Sequence, residues 1–298
     1  MGSGTNPSGG DVARAFVESC LIRFRAAACF VCIGAAFTVP GAAAQDVIPV
    51  LSAVGSGWLE VGDDLLPPPA GPGPVKADPA HPYHGNTSGL QPTFRVADLS
   101  NPILKPWVVD RLRKTNERVL SGKVPFQAHE RCWPTGVPGF EVFSLLRPIY
   151  FLQDPKEVII INEGNFEVRH VYLNVPHSKN PKPSWYGESV GHYENGDTLV
   201  VDTIGMNDRS FVDNYLTPHT TQLHVVERFK LTEGGRTLQV LITVDDPGAF
   251  NTAWSAIQLY RLQRRGNGDW DEDICPENND SYFGYEMAPM PQAVRPDF

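Results

Sequence analysis

The chain has 298 residues, 41% hydrophobic and 20% charged, with a formal net charge of −9. That balance excludes wholesale disorder, and the surplus of acid argues against nucleic acid or an anionic membrane as the main partner. Proline is high at 27 residues, about 9% against an ordinary ~5%, so long stretches without helix are expected.

Near the N-terminus, Arg23 and Arg25 precede an apolar run from Ala26 to Val39, followed by Pro40-Gly41-Ala42-Ala43-Ala44-Gln45. A basic flank, a short apolar run and a small-residue end predict a secretory signal peptide over 1–44, cut after Ala44. The mature protein is then periplasmic or secreted. A membrane helix needs ~20 apolar residues, so no integral membrane span is expected. Without 1–44 the chain keeps 22 basic and 32 acidic residues, a net of −10. Of its five cysteines only Cys132 and Cys275 remain. Outside the cytosol such a pair predicts one disulfide, whose long loop is worth roughly 4–5 kcal/mol through the unfolded chain.

Residues 45–100 read as a Pro-rich extended arm, with seven prolines between Pro67 and Pro82. Proline fixes φ and removes a donor, which disfavours both helix and central strand. Residues 102–121 predict a helix. Pro106 suits its first turn, Ile103, Trp107, Val108, Leu112, Val119 and Leu120 form an apolar stripe, and Gly122 ends it.

From about 140 to 265 the period changes to two. Strands are expected at 158–161, 166–172, 198–203, 223–231, 237–244 and 256–262, separated by turns such as Asn195-Gly196-Asp197 and Glu233-Gly234-Gly235. The fold expected is mainly β. An antiparallel meander closes into a lipocalin/calycin-like barrel or a two-sheet sandwich over 101–280, with the helix on its flank and 281–298 as a C-terminal tail.

The hairpin at Gly234-Gly235 pairs Thr232 with Thr237, Phe229 with Val240, Glu227 with Ile242 and Val225 with Val244. One face is then almost wholly apolar yet contains Glu227. A carboxylate there is costly unless it is paired or protonated, and desolvation raises its pKa toward that of a general acid or base. The other outcome is a brace to an arginine on another strand, for which Arg169 is suited. His224 stands opposite Asp245. Around 189–203 two registers compete: one sets Ser189 opposite Asp202, the other sets Glu188 opposite Asp202 with His192 on the same face. In both, Asp202 reads as a carboxylate facing the interior. Two long connections, 174–188 with His177 and Trp185 and 205–222 with Asn207 and His219, have the length of segments that cover a site.

No GxSxG, GxGxxG, P-loop or HExxH pattern is present. The runs PSWYGESVGHYENGDTLVVDTIGMND (183–208), LHVVERF (223–229), TVDDP (243–247), RCWPTGVP (131–138) and CPENN (275–279) resemble a large group of exported bacterial proteins of unknown function. The resemblance covers roughly 100–280. It implies a β-rich secreted fold and sites around Ser189, Asp202, Asn207, His224, Glu227 and Asp245, with no activity attached. Those proteins usually read Glu-Gly-Asp at the second turn, whereas this chain has Glu194-Asn195-Gly196-Asp197, which favours the Glu188–Asp202 register.

The function expected is cofactor-independent acid/base chemistry, as a lyase, isomerase or hydrolase, on a small and partly apolar molecule in the barrel. Glu227 and Asp202 are its acid and base, with His177 and His219 supplied by the connections. Arg169, Glu188, Ser189, His192, Asn207, Trp185, His224 and Asp245 contact the substrate. No metal or other cofactor is called for, and oligomeric state stays open. The competing reading is a non-catalytic carrier of small ligands using the same cavity.

Overall fold

The computed structural model describes residues 48–52, 56–85, 88–91, 93–126, 128, 131–142, 147–164 and 167–264, with short pieces at 281–282, 285–286 and 288–289. The segment 1–44 and Cys275 lie outside the described residues. Cys132 is disulfide-bonded.

Nine strands close into a barrel: β1 Ser56–Leu66, β2 Ile149–Gln153, β3 Glu157–Asn162, β4 Glu167–Leu173, β5 Glu188–Glu194, β6 Thr198–Ile204, β7 His224–Thr232, β8 Thr237–Asp245 and β9 Trp254–Arg264. Each strand neighbours the next in sequence, and β9 returns to β1. Two features differ from the expected meander. First, β4 and β5 run parallel, with Val171↔Ser189, Tyr172↔Val190 and Leu173↔Gly191. A parallel pair cannot be joined by a tight turn, so 174–187 must double back across the wall. Second, residues 56–66, read as part of an extended arm, form the closing strand β1. Its pattern is broken by Gly62, at φ +93°, and by a register shift between Val61 and Leu66. The proline-rich stretch that follows contains no helix.

Alternation along the strands sets the interior. Phe151, Ile160, Val201, Phe229, Ile242 and Tyr260 are buried there, and Phe151 meets Phe229 edge to face at 5.6 Å. Burying such side chains is worth roughly 1.5–3 kcal/mol each. The predicted helix is α1, Pro106–Leu120, with Pro106 in its first turn. Its buried stripe is Val108, Leu112 and Asn116. Trp107 and Leu120, expected on that stripe, are exposed. The Asn116 amide accepts from Ala97 N at 2.8 Å and donates to Ala97 O at 2.9 Å, fastening the helix to the segment before it. Among the described residues no helix is long and apolar enough to cross a membrane.

Candidate functional site

The expected site residues separate into three places. The first is the barrel interior. Arg169 from β4 donates through Nη1 and Nη2 to the two carboxylate oxygens of Glu227 from β7, at 3.1 and 2.5 Å. Its Nε donates to Ser189 Oγ at 3.1 Å, and Nη2 also donates to Thr203 Oγ1 at 2.8 Å. The two hydroxyls meet at 2.9 Å. Glu227 is 0% exposed and Arg169 1%. Burial of this kind is tolerated because the planar guanidinium fork matches the carboxylate and the remaining donor finds a hydroxyl. The arrangement ties four strands together, which is the geometry of a brace.

The second place is the outer wall. On β6 the inward residues are Leu199, Val201 and Thr203, so Asp202 points outward, with its side chain 38% exposed. This corrects the expected inward phase. The β5–β6 register also differs from both alternatives: Val190 pairs with Asp202 and Glu188 with Ile204. The loop is Asn195-Gly196-Asp197, with Asn195 and Gly196 both at positive φ. Glu188 and Asp202 still share a face, one step apart along the diagonal. His192 is on that face too but turns to Glu194 Oε1 at 3.1 Å.

What joins Glu188 to Asp202 is His177, carried over the wall by the doubling-back connection. Its Nδ1 lies 3.1 Å from Glu188 Oε1 and its Nε2 lies 2.9 Å from Asp202 Oδ1. Both contacts are hydrogen bonds only when the ring carries both protons. The same Asp202 oxygen is 2.9 Å from His224 Nε2. Carboxylates accept, so His224 carries a hydrogen on Nε2, and in the neutral ring Nδ1 is bare. Among the described residues nothing hydrogen-bonds to that nitrogen. Asp245 is paired with His224 across β7–β8, as expected, and its carboxylate faces solvent. Glu188 is held below the usual carboxylate range, chiefly by the Ser178 N–H at 2.6 Å and also by His177. Val190, Ile204 and Val226 lie half-buried on the same face, and Tyr172 beside Val190 is exposed.

This cluster exists because of two local devices. The positive φ of Asn174 turns the chain out of β4, with Asn174 N bonded to Gly191 O at 2.8 Å. Gly187, at φ +64°, lets the connection re-enter β5 against β6. A Cβ there would stand 2.3 Å from Ile204 O, so no other residue fits.

The third place is the connection 205–222. His219 pairs with Ser210, which the sequence did not single out. Asn207 closes a local turn by accepting from Arg209 N at 3.0 Å. Trp185 packs edge-on against Trp133 at 5.3 Å. Farther along, Asp213 is buried, accepts from Tyr215 N and Thr217 N, and is pushed up to about 6, first by burial and partly by nearby Asp64.

Apart from these places, a hollow of about 320 Å³ opens in the proline-rich segment between Pro67, Pro68, Lys76, Asp98 and Asn101. Among the described residues no group of three or more His, Cys, Asp or Glu is disposed to hold a metal ion. No protein-family model matches the chain, and no curated protein is significantly similar to it in sequence.

Proposed function

We propose that this chain is an exported protein that acts on a small, partly apolar molecule by acid/base chemistry of its own side chains. The reacting groups are on the outer wall rather than in the barrel. The supporting observation is Asp202 Oδ1 at 2.9 Å from both His177 Nε2 and His224 Nε2, with the His224 side chain 41% exposed. A carboxylate holding one imidazole nitrogen as N–H presents the other as a base and stabilises the imidazolium that forms. His224 Nδ1 takes a proton from a substrate carbon, hydroxyl or attacking water, and returns it to the product side. That sequence serves a lyase, an isomerase or a hydrolase. His177, fixed between Glu188 and Asp202, holds Asp202 in place. The half-buried valines and Tyr172 give the substrate an apolar rest. Glu227 takes no part, because both its oxygens are committed to Arg169.

Turnover screening of the purified protein against a small-molecule library tests this. Any activity found falls by 10²-fold or more in Asp202→Asn and in His224→Asn, the usual contribution of a positioned base. Activity unchanged in both variants refutes the assignment. A second reading, a non-catalytic carrier, is favoured by the hollow lined by Pro67, Pro68 and Lys76. Ligand binding abolished by filling that hollow, with no turnover in any screen, selects it.

A further inference from the structure

Ser210 and His219 form a pair with the protonation pattern of a nucleophile and its base. Ser210 Oγ is 2.9 Å from His219 Nε2, and His219 Nδ1 is 3.0 Å from the Thr220 carbonyl oxygen. A carbonyl only accepts, so Nδ1 carries the hydrogen and Nε2 of the neutral ring carries the lone pair. The serine hydroxyl therefore donates to Nε2. Burial pushes the His219 imidazole below its ordinary value, which keeps it neutral. The orienting carbonyl is itself fixed. Asp246, fully buried, accepts from Thr220 N at 2.5 Å, Thr220 Oγ1 at 2.7 Å and Gly248 N at 2.8 Å. A main-chain carbonyl thus occupies the place that a carboxylate takes in a catalytic triad.

The surroundings favour an aromatic ligand. Gly136, at φ +71°, has its bare backbone against the hydroxyl; a Cβ there would lie 2.3 Å from Ser210 Oγ and 3.2 Å from Trp185 O. Around this point stand four half-buried rings. Phe126 meets Trp133 at 5.3 Å and Phe211 at 6.2 Å, and Trp133 meets Trp185 at 5.3 Å. The Arg209 guanidinium lies 5.8 Å over Trp185. The indole N–H of Trp133 is buried with no partner among the described residues. Ser210 and His219 are each 3% exposed. Their cover at Gly136 and Trp185 belongs to connections outside the barrel ladder, and Trp185 is itself half-buried.

We propose that Ser210 is an acyl-accepting nucleophile activated by His219, and that it takes esters of aromatic carboxylic acids. Ser210 Oγ attacks the ester carbonyl carbon while its proton passes to His219 Nε2. The carbon–oxygen bond to the alcohol breaks, and the alcohol leaves with that proton. Water then attacks the acyl-serine by the same route, giving the free acid and restoring Ser210. The site stands apart from the Asp202–His224 cluster, and its readout, an adduct on one serine, can fail without bearing on that cluster.

The experiment treats the folded chain with phenylmethylsulfonyl fluoride, an aromatic sulfonylating reagent, followed by intact mass and peptide mapping. The expected result is a single adduct on Ser210, absent in Ser210→Ala and formed at least tenfold more slowly in His219→Gln. In the wild type the rate falls on acidification as His219 gains its proton. This pH profile keeps the test decisive if His219→Gln does not fold. No adduct on Ser210, or labelling whose rate is independent of both His219 and pH, overturns the proposal.

Discussion

Replacing Glu227 with Gln is isosteric, and its cost can be worked from the interior network. The carboxylate accepts two hydrogen bonds from a guanidinium that is 1% exposed. Glutamine keeps one acceptor oxygen and turns an amide N–H₂ toward an Arg169 N–H. The cation then loses its bidentate carboxylate, while its bonds to Ser189 and Thr203 remain. Breaking one side of a buried ion pair costs about 3–5 kcal/mol, against a total stability of ~5–15 kcal/mol for a typical domain. At about 2–4 °C per kcal/mol for a domain of this size, the melting temperature falls by roughly 10 °C. Equilibrium urea unfolding followed by far-ultraviolet circular dichroism reads the loss directly, with the slope unchanged if only stability has moved. The double replacement Arg169→Met with Glu227→Leu removes both charges and recovers most of it, because Ser189 and Thr203 still bond each other at 2.9 Å. A Glu227→Gln protein within ~1 kcal/mol of wild type, or a double variant weaker than the single, refutes the brace.

Two further outcomes follow from neighbouring elements. Asp213 has a folded-state value of about 6 against an ordinary 3.8. A raised carboxylate lets the folded state bind more protons, so its contribution is fully present below the unfolded value and lost as pH rises through about 6. The loss approaches about 3 kcal/mol. Asp213→Asn therefore raises the melting temperature at pH 8 and changes it little at pH 4, which thermal scans across that range check. Asn116→Ala removes both hydrogen bonds to Ala97 and leaves a buried N–H and C=O unsatisfied. It lowers stability by about 2 kcal/mol in the same urea assay, whereas Lys114→Ala on the exposed side of α1 does not.

The β7–β8 hairpin was legible residue by residue. Val225, Glu227, Phe229 and Leu231 point inward while His224, Arg228 and Lys230 point outward, with Val226 the one apolar residue among them, so phase, register and the inward carboxylate all follow from a period of two. Its neighbour β6 was not. Val200 and Ile204 are apolar on the outer face too, and Val200 is nearly as buried as the interior residues. Apolar residues on both faces erase the alternation, and Asp202 takes the wrong phase. The site's assembly was hidden for a different reason. His177 meets Glu188 and Asp202 only because β4 and β5 run parallel, a nonlocal choice that no spacing within 174–188 reports. Strand β1 was masked by its Gly62-Asp63-Asp64 interruption and by the prolines that follow it.

The central claim is an imidazole base on the outer wall, held by Asp202. Nitrogen-15 spectra of the histidine rings test it without any substrate. Neutral His224 is expected to carry its hydrogen on Nε2 with Nδ1 bare, and Asp202→Ala, which removes the shared acceptor, is expected to shift the ring signals of both His177 and His224 while leaving the fold intact. A neutral His224 protonated on Nδ1, or ring signals at 177 and 224 untouched by Asp202→Ala, contradicts it.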